Sequence, residues 1–403
     1  MTAAVLCFVF GLWPLAAFVG AGGFGPLVGV AAIATSPMSI PHMRVRAYML
    51  VLLVFLIYAA ASAFWSPQTF SLVDIDVARG VFSVNSEVLR TGLALLAGAA
   101  LITLAQRLSE KGRVLIGRVA TVALLVQLVA VIVLTLFEKQ AITFFYGARP
   151  DDEGVQNISR NSQIMAAAAP FLIMGLAKGR GRIATSVIAV AVIAIEAALL
   201  IARGVDAGLL ALVLAGACMG GVSLFKRYGF RILGGIVAAL IMTAPFIFQY
   251  LSRGANANTA TNSTEYRQAI WQRTLEVLQD NPILGSGVGV LRTHRDMIPE
   301  GMFANLFYIP NHPHNMPLQL WVETGVVGAL LLSIVVVMVA FRLPRPGDMG
   351  TTSLRIAAIL GAVIAYWVSF DLWNAWWWPV CCLLAVLTAS QAHSRGQPQS
   401  SAG

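Results

Sequence analysis

Apolar runs of about 20 residues recur along the chain and constrain its fold more than any other feature. Charged residues make up only 11% of the 403 residues and hydrophobic residues make up 58%, whereas a soluble domain carries roughly 25% charged residues. A backbone in lipid must satisfy its own hydrogen bonds, so these runs predict helices that span a membrane. The sequence therefore predicts an all-α polytopic membrane protein.

About twelve spans are predicted, and a large polar segment precedes the third-last of them. The predicted spans are 3–19, 22–37, 47–64, 91–106, 114–136, 162–177, 183–202, 207–225, 231–250, 317–341, 354–371 and 376–391. The first run has no basic residue before it and a second run follows at once, so we interpret it as a retained span and not as a signal peptide. This divides the chain into spans one to nine (1–250), a large loop with an amphipathic helix (251–316), and the last three spans with a short tail (317–403).

The distribution of basic residues predicts the orientation. Sixteen of the 27 Lys and Arg residues lie in one alternate set of short loops. The positive-inside rule places these loops, and with them both termini, in the cytoplasm. The net charge of +9 is then an insertion signal, and we expect no nucleic-acid partner. The opposite, outer face carries the longer polar stretches 65–90, 137–161 and 251–316, so any chemistry is expected there.

The segment "NSTEYRQAIWQRTLEVLQDNP" predicts a helix in the large loop, capped by Ser263 or Thr264 and stopped by Asn281-Pro282. Helical spacing puts four residues on one face: Arg267, Trp271, Thr274 and Leu278. If this face packs against the membrane helices, the Arg267 guanidinium is suited to bind a phosphate or a carboxylate there. The alternatives are snorkelling and a local ion pair with Glu265 or Glu276.

Each of the other charged or glycine-rich positions has two possible interpretations. The close-set glycines of "GSGVGV" (285–290) either gather backbone N–H groups around an anion or simply form turns. Arg203, held between two spans, faces a functional cavity or pairs with Asp206 at an interface. Glu196, inside a span, either balances an arginine or belongs to a proton path.

Two acidic stretches on the outer face are weaker candidates. Asp74 and Asp76 form a D-x-D pair that either ligates a divalent cation or occurs by chance. The "DDEG" segment at 151–154 is expected to be a solvated turn.

Two of the five histidines lie in "NHPHNMPLQLWVETG", immediately before a predicted span. His312 and His314 lack the further ligands that a metal site needs. A neutral imidazole is the usual general base near neutral pH, and interfacial histidines are the alternative. The prolines stiffen the segment, and we expect Asn315 to orient the ring of His314 by a hydrogen bond.

Several motifs together resemble the O-antigen ligase and polymerase family. They are "R-x-x-x-W" at Arg267 and Trp271, "NPILGSGVG", the H-P-H-N to E-T-G segment from His312 to Gly328, and "ARG" at 202–204, where alanine replaces the family's usual serine. The twelve spans and the enlarged loop fit the same architecture, the C-type glycosyltransferase class.

The resemblance implies a glycosyltransferase of polysaccharide biosynthesis in the bacterial inner membrane, with its active site on the periplasmic face. The donor would be a glycan on undecaprenyl pyrophosphate. The acceptor would be a sugar hydroxyl of lipid A–core, as in lipopolysaccharide ligation, or another lipid-linked glycan, as in polymerisation. The family is thought to need neither a metal nor a cofactor, and direct attack by one hydroxyl would invert the anomeric configuration.

The chemistry of the side chains agrees with this activity. His314 can act as the base, and Arg203 and Arg267 can bind the pyrophosphate. Further residues are expected nearby or on the acceptor side: His312, Asn315, Trp271, Arg292 and Glu323. Trp321 and the "LWNAWWWP" cluster (372–379) could border a groove for the lipid tail.

Two other functional classes fit the sequence less well. A transporter of lipid-linked saccharides needs ionisable groups at the bilayer midplane on several helices, and Glu196 is the one acid well inside a predicted span. A structural membrane protein leaves the two arginines and the histidine unexplained. Between ligase and polymerase, the moderate chain length and the single large loop favour the ligase.

Overall fold

The computed structural model describes residues 2–18, 22–68, 74–76, 81–83, 86–146, 152–343 and 350–392. Within them the chain is almost entirely helical. The first half contains α1 (Thr2–Gly11), α2 (Trp13–Phe18), α3 (Phe24–Ser39), α4 (Ala47–Ala61), α5 (Glu87–Ala105), α6 (Glu110–Leu136), α7 (Glu138–Tyr146) and α8 (Asp152–Leu176). The second half contains α9 (Arg182–Ala202), α10 (Asp206–Leu224), α11 (Gly229–Leu251), α12 (Ser263–Asp280), α13 (Met316–Arg342), α14 (Thr351–Tyr366) and α15 (Trp377–Gln391). Two three-residue strands, β1 (Asp74–Asp76) and β2 (Val81–Ser83), pair antiparallel.

The helices confirm a polytopic membrane fold. A helix lies at each of the twelve predicted spans, and in the described residues eight are long and apolar enough to cross a membrane. Three more apolar stretches are shorter: 2–18, which is divided between α1 and α2, 351–366 and 377–391. α12 lies in the segment between α11 and α13, as expected from its sequence.

Several predicted boundaries are wrong, for local reasons. The 137–161 stretch contains α7 and the start of α8, so "DDEG" is not a solvated turn, because the helix begins at Asp152. The cap of α12 is Asn262, whose side chain accepts from the backbone N–H groups of Thr264 and Glu265. α14 ends at Tyr366, five residues before the predicted limit. The side chains of Asp74 and Asp76 lie outside the described part of the structure.

The centre of the fold is α13, which packs against α4, α11 and α12. Every residue from Met316 to Gly325 is buried. At Gly325 the helix is interrupted, with φ 61° and ψ −165°, a conformation that only glycine adopts without strain.

The loop after α12 fills this interruption. The N–H groups of Ser286 and Gly287 donate to the carbonyls of Val322 and Glu323 at 2.7 and 3.0 Å, and Val326 N–H donates to the Pro282 carbonyl at 2.9 Å. Irregular backbone at membrane depth is tolerated where protein supplies its hydrogen bonds. The "NPILGSGVG" and "ETG" motifs are therefore two halves of one backbone junction.

Replacement of Gly325 by alanine tests this junction. The new Cβ would lie 2.1 Å from the Ile283 carbonyl oxygen, at a positive φ. We expect Gly325→Ala to destabilise the protein by more than about 2 kcal/mol, measured as a lower melting temperature and a smaller monodisperse fraction in detergent. The matched control is Gly216→Ala in α10, where no atom lies within 4 Å of the added Cβ. Equal stability of the two variants would contradict the junction's role.

Candidate functional site

His314 lies in the last turn before α13, in a constrained position. Its φ is +50°, in the left-handed region that a non-glycine residue rarely adopts. Strain of this kind costs about 1–3 kcal/mol and clusters at functional sites. Asn315 follows as the cap of α13, with its side-chain oxygen accepting from Leu318 N–H at 3.0 Å.

The Ser369 carbonyl fixes the tautomer of His314. The Nδ1 atom of His314 lies 3.1 Å from the Ser369 carbonyl oxygen. A carbonyl can only accept a hydrogen bond, so Nδ1 must carry the proton and Nε2 must hold a free lone pair. The predicted orienting role of Asn315 is therefore wrong, because its oxygen caps α13 and the backbone of Ser369 holds the ring.

Ser369 is available because α14 ends early. The chain after Tyr366 turns back, with Ser369 N–H donating to the Tyr366 carbonyl at 3.1 Å. The side chain of Asp371 then accepts from Trp373 N–H at 2.7 Å. This tight turn brings the Ser369 carbonyl to the start of α13.

The second histidine is packed against the first. The ring centroids of His312 and His314 are 4.3 Å apart, and Nδ1 of His312 accepts from the backbone N–H of His314 at 3.2 Å. Burial and the Arg292 cation lower the pKa of His312 to about 4. Burial first, and then His312 and the Arg267 cation, lower the pKa of His314 to about 4, against a raising effect of the Ser369 carbonyl. Both rings are therefore neutral near pH 7.

Arg267 is the cation that acts on His314, and its guanidinium has no partner in the part of the chain that the structure describes. Burial lowers the pKa of Arg267, and the Asp206 carboxylate acts in the opposite direction. Among the described residues no hydrogen bond or ion pair engages its guanidinium. The alternative of a local ion pair with Glu265 or Glu276 does not hold, because Glu276 binds Arg273 and Glu265 accepts from Thr261. Arg267 is thus a partly buried cation whose charge acts on a neutral base.

Unpaired donors accompany this cation. Trp271 lies one turn further along α12, is buried, and makes an edge-to-face contact with Phe248 of α11. Its Nε1 and the Nδ2 of Asn315 are buried without a hydrogen-bond partner in the described residues. Buried N–H donors are rarely left unpaired, so both are candidates to bind a ligand.

Arg203 lies in a different setting from the one expected. Its guanidinium contacts the Glu138 carboxylate and donates to the Val155 carbonyl at 3.1 Å, instead of pairing with Asp206. Its side chain is only 6% exposed. Asp206, three residues later, is the carboxylate that acts on Arg267. The chain at Arg203 therefore passes near Arg267, although the Arg203 guanidinium is already bound to Glu138.

Glu323 and Arg292 connect the loop after α12 to neighbouring parts of the protein. The Glu323 carboxylate, 1% exposed, accepts from Gly289 N–H at 3.1 Å and from Trp373 Nε1 at 2.6 Å. Arg292 contacts the Glu87 carboxylate at the start of α5. The backbone N–H groups of "GSGVG" are thus engaged by the protein, so its glycines make turns and do not form an open anion site.

A network through Gln319 joins Glu323 to the turn of Ser369. Gln319 Nε2 donates to Glu323 at 3.1 Å and to Asp371 at 3.0 Å, and its oxygen accepts from Leu372 N–H at 2.9 Å. Sequence reasoning missed Gln319, Ser369 and Asp371. Gln319 belongs to the "PLQLW" part of the segment that contains the two histidines, so the sequence offered a signal for it. No local pattern marks the Ser369 carbonyl, which lies 55 residues after His314.

An apolar cleft of about 400 Å³ begins at Met316, two residues after His314. Met316 and Pro317 line it at this end, and Leu343 lines it at the other end of α13. Trp373 and Trp378 border it as expected, whereas Trp321 does not, because its Nε1 donates to the Ile241 carbonyl in α11 at 2.8 Å.

Two remaining candidates can be placed. Glu196 is fully buried, and neither carboxylate oxygen has a hydrogen-bond partner among the described residues; the expected counter-arginine does not contact it. No group of three or more His, Cys, Asp or Glu side chains in the described residues is arranged to hold a metal ion.

An unpaired Arg267 should bind an anion. We expect Arg267→Gln to weaken the binding of inorganic pyrophosphate to the purified protein by about tenfold or more, since a hydrogen bond to a charged group is worth about 1.5–3 kcal/mol. Titration calorimetry measures this. The control is Arg273→Gln, because Arg273 already pairs with Glu276 at 2.5 Å and Asp296 at 3.6 Å. Equal loss in both variants would contradict a specific role for Arg267.

A known protein family matches the part of the chain that contains this site. Residues 189–333 match the family model described as O-antigen ligase. A curated protein of Rickettsia conorii, whose name gives polysaccharide ligase as a provisional assignment, is 21% identical over 172 residues, which is 39% of this chain and 41% of that protein. The match thus spans less than half of that relative, and no solved structure matches. The resemblance to O-antigen ligases is confirmed for residues 189–333, the segment that contains Arg203, Arg267 and His314.

Proposed function

We propose that this protein transfers a glycan from undecaprenyl pyrophosphate to a sugar hydroxyl of lipid A–core, at the His314 end of the bundle. We place that end on the periplasmic side of the bacterial inner membrane, with both termini cytoplasmic. The observation that carries the proposal is a neutral His314, whose Nε2 lone pair is free, within the electrostatic influence of Arg267, a cation without a hydrogen-bond partner among the described residues.

His314 is the general base in this proposal. Nε2 takes the proton of the acceptor hydroxyl as its oxygen attacks the anomeric carbon. The bond between that carbon and the pyrophosphate oxygen breaks, and the pyrophosphate leaves with the electron pair. Attack opposite the leaving group inverts the configuration. The anionic pyrophosphate raises the proton affinity of the nearby imidazole, which offsets the effect of burial.

Arg267 stabilises the leaving pyrophosphate. Its guanidinium can donate two parallel hydrogen bonds to phosphate oxygens, and it is held in a partly buried position where such contacts are strong. Asn315 Nδ2 and Trp271 Nε1 are the accompanying donors. Arg203 joins this set only if phosphate oxygens replace the Glu138 carboxylate as its partner. His312, Arg292 and Glu323 hold neighbouring parts of the chain in place and do not contact the substrate in this proposal.

The apolar cleft accommodates the lipid tail. It starts at Met316, two residues after His314, and runs between α4, α5, α11, α13, α14 and α15. A polyprenyl chain in this cleft would present its pyrophosphate at the mouth where His314 lies.

The ligase assignment is favoured over polymerisation by the descriptions of the matched family and relative. A gel of lipopolysaccharide from a deletion strain distinguishes the two. Loss of the whole ladder with accumulated lipid-linked polymer indicates a ligase. A core that carries a single repeat unit indicates a polymerase, and an unchanged pattern contradicts both.

We expect His314→Ala to reduce transfer at least 100-fold, because general-base catalysis contributes about 10²–10⁴. Transfer is followed with the purified protein, the lipid-linked donor and the acceptor. The control is His294→Ala, which alters another histidine of the 252–315 segment and should leave transfer unchanged. A His314→Ala variant that is folded and fully active would remove His314 from the mechanism.

The low pKa of His314 predicts an unusual pH profile. A base works in its neutral form, which persists above its pKa of about 4. kcat/KM, which reports the free enzyme, should therefore change little between pH 7.5 and 5.5. An unshifted histidine would be roughly nine-tenths protonated at pH 5.5. A decline in kcat/KM with a midpoint near pH 6.5 would contradict the structure of the site.

A further inference from the structure

A second cavity lies at the opposite end of the bundle from His314. Its volume is about 780 Å³. Six segments enclose it: the connection between α3 and α4, the start of α4, the C-terminal ends of α5, α13 and α15, and the N-terminal half of α14. Nothing in the proposed reaction uses this cavity.

Four arginines line the cavity without a counter-charge. They are Arg44, Arg46, Arg107 and Arg342. No Asp or Glu lies among the described lining residues, and none of the four guanidinium groups has a hydrogen bond, an ion pair or a ring contact within the described part of the chain. All four side chains are exposed at the cavity, and like charges that share one cavity repel one another unless an anion joins them.

Arg118, Lys178 and Arg355 line a separate cavity, whereas two other basic residues of the same set of loops have local partners. Arg231 lies over the rings of Tyr228 and Phe341, at 5.9 and 5.1 Å. Arg113 donates to the Leu108 carbonyl at 3.1 Å. The insertion signal alone explains why cations occur in these loops, but it does not explain why four of them share a cavity and lack local partners.

The wall of the cavity behind the arginines is apolar. Ile102 and Ile356 line it, together with Val339, Leu343 and Ile359. The last three residues also line the apolar cleft that begins at Met316. The two cavities therefore adjoin along α13, and a ligand with an anionic head could place its hydrocarbon tail against this wall.

We propose that this cavity binds the phosphate headgroup of an anionic phospholipid, with its acyl chains against Val339, Leu343 and Ile359. Basic pockets between membrane helices commonly hold such headgroups. Tyr48 and Gln106 supply neutral donors for the remaining phosphate oxygens. By joining the ends of α5, α13, α14 and α15, the lipid stabilises the helices that enclose the cleft. The inference does not depend on the glycan transfer.

The test uses the full chain in a neutral detergent. Phosphatidylglycerol and phosphatidylcholine with the same acyl chains are added separately, and bound lipid is counted by native mass spectrometry alongside the melting temperature. We expect phosphatidylglycerol to be retained and to raise the melting temperature, and phosphatidylcholine to do neither. Inorganic phosphate at equal concentration should have little effect, because it lacks the acyl chains.

Two double variants remove equal charge from the same set of loops. Arg107→Gln with Arg342→Gln changes the cavity, and we expect about fivefold weaker lipid retention per arginine removed. Lys226→Gln with Arg227→Gln changes an exposed turn outside it, and retention should persist. If the cavity pair does not fold, Arg46→Gln in the exposed connection before α4 replaces it.

Three outcomes would overturn the proposal. Equal loss of lipid in the two double variants would show a general charge effect. Equal stabilisation by inorganic phosphate would show a site for a free anion. Equal retention of phosphatidylcholine would show that the arginines do not select the headgroup.

Discussion

The interruption of α13 at Gly325 is the constraint on which the rest of the site depends. A helix broken within the bundle exposes backbone groups that lipid cannot satisfy. The loop between α12 and α13 satisfies them, and the buried Glu323 carboxylate fixes this loop through Gly289 N–H. The loop in turn sets where α12 ends, and therefore where Arg267 lies. One backbone junction thus positions the cation of the candidate site.

The base is positioned from the other side of α13. Gln319 ties Glu323 to Asp371, and the turn that contains Asp371 presents the Ser369 carbonyl to His314. The same buried network therefore connects the α12 loop, the start of α13 and the end of α14. Backbone groups and buried amides thus position a neutral base and a cation whose guanidinium has no hydrogen-bond or ion-pair partner among the described residues.

Much of this organisation could be predicted from sequence because it depends on local patterns. Apolar runs located the helices, the Asn281-Pro282 pair marked the end of α12, and helical spacing put Trp271, Thr274 and Leu278 on its buried face. Motif resemblance singled out Arg267 and His314, whose roles stay predictions.

The parts that sequence could not predict depend on contacts distant along the chain. The partner of Arg203 is Glu138, 65 residues away, and the carbonyl that orients His314 belongs to Ser369. Neither contact produces a recognisable spacing of residues in the sequence. The 285–289 segment was ambiguous for the same reason, since only the fold decides whether its N–H groups face a ligand or, as here, Ser62 after α4 and the Glu323 carboxylate in α13.

A structure of the protein with undecaprenyl pyrophosphate, determined by cryo-electron microscopy in a lipid nanodisc, tests the central claim most directly. The account predicts the pyrophosphate within hydrogen-bond distance of Arg267, beside Nε2 of His314, and the polyprenyl chain in the cleft that begins at Met316. A pyrophosphate bound away from both side chains, or a chain outside that cleft, would contradict it.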